Sequence, residues 1–256
     1  MTILRGAMIS GILVAVIPAL LLPWLLLPLR QPLLFAVIPV VPLAVVYVRA
    51  VAERRPGHAL LPALLWAVAL SVATVAAAAV APDAAAHGIW RASDYRDEML
   101  RWIATGLGPE GSPGLFLPRV LLEFAVLLLV SAATGGVAGL LLGSLLLGYM
   151  NGYVGWVVAH ADPRVAPWQA GLLAWPPWSM VRVVSFVLAG TAAALWGWPR
   201  LYDRGGRRAP VRALLAVSVV LLLLDIGLKA WLAPQWQHWL RGLLGASAGI
   251  EAGGSG

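Results

Sequence analysis

The sequence predicts an all-α fold: a polytopic helical membrane bundle of about seven spans, with short amphipathic helices on its outer surface. Three observations predict it. Of the 256 residues, 61% are hydrophobic and only 11% charged, whereas soluble domains carry roughly one quarter charged residues. Several apolar runs exceed the ~18 residues that suffice to cross a hydrocarbon core of about 30 Å. The alternating segments of about 10 residues that mark a membrane β-barrel are missing.

The elements follow in order. The opening "MTILRGAMISGILVAVIPALLLPWLLLPLR" has an apolar run too long for a signal-peptide core, and no small-residue cleavage site follows it, so it reads as a retained first span over 7–29. Spans two and three cover 32–49 and 59–81, completing a proline-rich N-terminal region, 1–81. The first two spans carry Pro18, Pro23, Pro28, Pro32, Pro39 and Pro42. Each internal proline deletes a backbone donor and crowds the carbonyl one turn back. In lipid the freed groups must find partners in neighbouring protein, so these spans are expected to be kinked and packed against the rest.

Residues 82–117 form an extracytoplasmic loop. Within it, "SDYRDEMLRWIATG" reads as a short amphipathic helix. Asp94, Asp97 and Glu98 crowd its start, where the helix dipole favours negative charge. Tyr95, Met99, Trp102 and Ile103 share one face, and Gly106 and Pro109 end it. A glycine-rich core, 118–233, supplies spans at 118–134, 136–158, 178–198 and 211–233. The run 118–158 is too long for one span, and the paired glycines of "ATGG" at 133–136 mark the break. The region 234–256 begins with "PQWQHWLRGLL", a second amphipathic helix with Trp236, Trp239, Leu240 and Leu243 on one stripe. Both amphipathic helices are expected to lie flat at the interface, and "EAGGSG" to be disordered.

Two loops, 49–58 and 199–212, are strongly basic. Basic loops favour the cytoplasm, and four intervening spans allow both to lie there. The N-terminus is then cytoplasmic, the C-terminus extracytoplasmic, and the protein is a multi-pass component of the cell membrane. The same distribution explains the formal charge of +7 without nucleic acid; the expected partners are the lipid bilayer and other membrane subunits.

The stretch "TGGVAGLLLGSLLLGYMNGYVG", 134–155, holds seven glycines. Small residues at every fourth position let helices approach closely in lipid. Gly135, Gly139 and Gly143 form one such row, and Ser144, Gly148 and Gly152 a second on the opposite face. Gly139, Gly143, Gly148 and Gly152 are the expected helix-packing residues. A glycine-lined permeation path is the rival reading.

Counting 1.5 Å per residue places Glu123, Asn151, Arg182, Asp225 and Lys229 in one polar layer in the outer half of spans four to seven. Intramembrane charges are costly and face protein or a water-filled cavity. Glu123 and Arg182 match in depth and sign and are expected to pair. Asp225 and Lys229 stand four apart in the favourable acid-first order, and Asn151 needs partners for its amide.

No cysteine is present, which removes disulfides, thiolate metal sites and cysteine nucleophiles. His160-x-Asp162 is too little for a metal centre, so no metal and no cofactor are expected. Ser144 within "GLLLGSLLLG" faintly suggests an intramembrane serine protease, but no histidine lies in a later span to act as base. No phosphate-cradling loop or paired-histidine zinc helix appears. "GLLLGSLLLGYMNGYVG", followed shortly by "LLAWPPWSMVRVVSFVLAGTAAALW", resembles the core of the stage II sporulation protein M family over roughly 120–198. That family has a histidine and an acidic residue after the later break; this chain has Trp178 and Arg182, and no function is carried across. The expected function is that of a non-enzymatic helical subunit or scaffold of a membrane complex. The alternative is a small transporter or permease component that uses the polar layer.

Overall fold

The computed structural model describes residues 2–201 and 209–245. The basic run 202–208 and the tail 246–256, with its expected disorder, lie outside the described residues. The chain is a helical membrane bundle of about seven spans. We call the end carrying the connections 81–112 and 161–176 the upper end, and the end carrying the turns 53–55 and 135–136 the lower end.

Helix α1, Thr2–Leu26, runs upward through Pro18 and Pro23 without ending. A 3-10 turn, Leu27–Leu29, and Arg30 with left-handed backbone (φ 52°) reverse the chain. The second span is broken in two, α2 (Pro32–Val37) and α3 (Val40–Ala52). The break falls at Ile38 and Pro39, and the neighbouring helix α4, Pro56–Val80, supplies a partner there. The buried Trp66 indole of α4 donates to the Pro39 carbonyl at 2.9 Å, as the bilayer's lack of water demands.

Two short helices, α5 (Pro82–Gly88) and α6 (Ala92–Thr105), cap the upper end. Helix α7, Pro113–Thr134, descends. Gly135 and Gly136, at φ 62° and 96°, make the lower turn at the expected break, where left-handed backbone costs glycine little. Helix α8, Val137–His160, ascends to the short α9, Pro167–Ala174. Helix α10, Pro177–Leu201, descends and α11, Ala209–Leu244, ascends. Helices α4, α8 and α10 are the most buried spans. Helix α11 leans on α10 through the membrane and on α6 and α9 above it.

Three expectations about the elements are corrected. The fourth span begins at Pro113 rather than 118; Pro113 takes the first helical turn, where a missing N–H is harmless, and Pro118 lies inside. Helix α6 does not rest its apolar face on lipid: Tyr95, Met99, Trp102 and Ile103 are buried in the protein, in the cluster built with α8 and α11. The second amphipathic helix is no separate element, because α11 continues through Pro234 for 36 residues. Its extension grips α6: Gln237 Nε2 donates to the carbonyls of Trp102 and Ile103, and Arg241 to those of Ile103 and Ala104. These carbonyls lie in the last turn of α6, at its negative dipole end; that of Trp102 also accepts the Gly106 N–H.

The glycine rows also differ from expectation. A Cβ on Gly148 or Gly152 would meet side chains, Ile89 Cγ2 and Ile89 Cδ1, each at 3.3 Å. Gly139 lies under the Ser131 side chain, and Gly143 borders open space. The backbone-to-backbone approaches are elsewhere. At Gly155 a Cβ would come 2.7 Å from the Val75 carbonyl of α4, and at Gly197 it would strike the Ala132 carbonyl of α7.

Candidate functional site

The charged residues assemble where the upper loops meet the membrane. Residues Arg119 and Glu123 stand one turn apart near the start of α7. Their Nε and Oε1 atoms lie 3.2 Å apart, and Arg119 Nη1 reaches Glu98 Oε1 of α6 at 3.2 Å. Arg182, on the second turn of α10, donates from Nε to Asp225 Oδ2 at 2.8 Å and from Nη2 to Asp225 Oδ1 at 3.1 Å. One turn further up α11, Lys229 Nζ lies 2.9 Å from Glu110 Oε2 and 4.5 Å from the centre of the Phe116 ring. Asp225 and Lys229 are 0% and 2% exposed, and Glu110 is 8% exposed.

The structure thus brings Glu123, Arg182, Asp225 and Lys229 into one cluster but changes their partners. Glu123 and Arg182 do not pair: Arg119 reaches Glu123 from the preceding turn, and Arg182 meets Asp225 across the close α10–α11 contact. Both oxygens of Asp225 are occupied by the guanidinium, so Lys229 turns to Glu110 instead of Asp225. Asn151 is not part of the cluster. Its Nδ2 donates to Ser71 Oγ of α4 at 2.9 Å, and its Oδ1 accepts from Trp175 Nε1 at 2.7 Å, which ties α8 to α4 and to the end of α9.

Sequence reasoning missed Glu98, Glu110 and Arg119. The Arg119–Glu123 spacing of four was a readable signal. Glu110 gave none, because "GPEGSPG" has the composition of a solvated loop, yet the loop folds inward. Tyr95, Tyr149 and Tyr153 pack beside the charges, with Tyr95 and Tyr149 ring centres 4.8 Å apart. Burial, then the nearby Glu110 carboxylate, push the Tyr95 phenol well above its ordinary value, so it stays neutral.

Below the cluster lies a cleft bounded by α4, α7, α8 and α10. Glu123, Tyr149, Ser179 and Arg182 line its upper part, where it adjoins a smaller pocket that reaches Glu110, Arg119 and Lys229. Most of its wall is apolar: Trp66, Leu127, Leu147, Val183 and Phe186, with Gly139, Gly143 and Gly190 as bare backbone. At its foot Tyr47 Oη donates to Thr191 Oγ1 at 2.9 Å. Part-way down, Ser131 lines the cleft, fully buried, with no hydrogen-bond partner for its Oγ. A charged head over an apolar body suits an amphipathic guest. The Ser144 hydroxyl is buried, with no hydrogen-bond partner among the described residues.

No family model, curated protein or solved structure matches the chain. The resemblance over 120–198 finds no support among them.

Proposed function

We propose that the protein is a non-enzymatic membrane component that takes an amphipathic small molecule into its bundle, as a small transporter or as the permease part of a larger assembly. The observation that carries this reading is the cleft between α4, α7, α8 and α10, apolar for most of its depth and ending at Glu123 and Arg182. In lipid, charges placed beside a cavity are a functional signal rather than a packing convenience. Gly143 offers the test, because a Cβ there meets nothing within 4 Å and a leucine would occupy the cleft without forcing helices apart. Purified protein in a non-ionic detergent should bind a fluorescent long-chain amphiphile, and Gly143→Leu should weaken that binding about tenfold or more, a loss of ~1.4 kcal/mol. Thermal stability should be retained. Unchanged binding in the variant would refute the cleft as the site.

The second reading, a scaffold subunit, is favoured by the sealed Arg182–Asp225 pair, which lines no part of the cleft on its Asp225 side. Under that reading Gly143→Leu leaves activity in cells intact, and stable membrane partners co-purify. In both readings the lower end is cytoplasmic, supported by the basic turn at 53–55 and the basic sequence after α10.

A further inference from the structure

We propose that the guest in the cleft is an amphiphile with a cationic, ammonium-type head group, held by Glu123. The inference rests on the cleft reading above and adds the chemistry of the ligand.

The first argument is charge balance. Four carboxylates, Glu98, Glu110, Glu123 and Asp225, meet three cations, Arg119, Arg182 and Lys229. Asp225 and Arg182 neutralise each other through two hydrogen bonds, and Glu110 is matched by Lys229. Among the described residues Arg119 is shared between Glu98 and Glu123, so carboxylates outnumber cations in the cluster by one. That excess belongs to the group facing the cleft. Glu123 spends only Oε1 on Arg119 and lines both the cleft and the pocket above it; Glu98 lines neither. In a low-dielectric setting a carboxylate that shares its cation with another carboxylate is under-compensated, and a bound cation offsets that cost. Arg182, the other charge on the cleft wall, is held by Asp225 and does not oppose a second cation as a bare charge would. The Tyr149 ring, which also lines the cleft, gives an ammonium group an aromatic face.

The second argument is the apolar wall that runs down the cleft from Glu123. It reaches Ser131, two turns below Glu123 on α7 and about 12 Å along the helix. A bare ion at Glu123 would leave that depth empty. A chain-bearing guest fills it. The apolar wall between the two positions, with Leu127, Leu147 and Phe186, fits a hydrocarbon chain.

The test compares hexadecylamine, hexadecanol and hexadecanoate as competitors for the fluorescent amphiphile on the full chain in non-ionic detergent at neutral pH. The amine should compete about tenfold better than the alcohol or the acid, and Glu123→Gln should bring all three within about twofold of one another. Glu123→Asp should keep the amine preference, which separates loss of charge from loss of fold. Gly143→Leu should weaken all three alike. Equal competition by the three in the native protein, or an amine preference that survives Glu123→Gln, overturns the cationic head group while leaving the cleft standing. Indifference of all three to Gly143→Leu overturns the cleft and the inference with it.

Discussion

Arg182 and Asp225 form a closed unit: two N–H groups meet two oxygens, at 2.8 and 3.1 Å, with Asp225 fully buried. Removing one partner strands a charge in the bundle, a loss of about 3–5 kcal/mol, whereas replacing both by apolar residues of similar size is often neutral. Arg182→Met and Asp225→Leu should therefore each lower thermal stability in detergent strongly, and the double variant should recover most of the loss. Additive losses would show that the pair is not a unit. The presence of charges at this depth was legible from sequence, because hydropathy and residue counting locate each one along its helix. Their pairing was not. Depth says nothing of azimuth, so Glu123 and Asp225 were equally good partners for Arg182 until the α10–α11 contact chose between them. Glu110 stayed hidden because a loop that folds back into the bundle has the same composition as one that does not.

The lower reversal was the most legible boundary. Paired glycines at a turn are local chemistry, and the break at 133–136 needed nothing else, whereas the start of α7 at Pro113 and the run of α11 through Pro234 were misplaced. The glycine rows were less so. A spacing of four identifies a smooth strip but not what lies on it: another backbone, a side chain such as Ile89, or the open cleft beside Gly143. The close α4–α8 crossing is at Gly155, where an added Cβ would come 2.5 Å from Ala78 Cβ and 2.7 Å from the Val75 carbonyl. Gly155→Leu should disrupt the bundle severely, since backbone cannot yield as a side-chain end can. Gly148→Leu should cost less, and Gly227→Leu, where nothing lies within 4 Å, should be nearly neutral. A ranking by detergent melting temperature checks the series; equal losses at Gly155 and Gly227 would contradict it.

At the scale of the whole molecule the class was written in composition, since only lipid tolerates so much apolar surface: Leu33, Val80, Leu129 and Trp231 are each at least 70% exposed. Orientation is a separate matter and rests on the basic turns. The chain has no cysteine, so single introduced thiols report sidedness cleanly. Ala52, beside the lower turn, and Ala104, at the upper end of α6, are both exposed. An impermeant thiol reagent applied to intact cells should label Ala104→Cys and reach Ala52→Cys only after permeabilisation. Labelling of position 52 from outside would invert the arrangement.

The hold of α11 on α6 makes the last helix a lever. Asp225 and Lys229 ride on the same rod as Gln237 and Arg241, with about 18 Å of helix between Asp225 and Gln237. Anything that pulls α6 away from the upper surface pulls on that rod and is felt at the charges inside the membrane. Pro234 interrupts its hydrogen-bond ladder between the grip and the charges, which makes it the natural flexing point. A stiffer rod, as in Pro234→Ala, would transmit the load undamped; a more pliant one, as in Pro234→Gly, would absorb it before it reached Lys229.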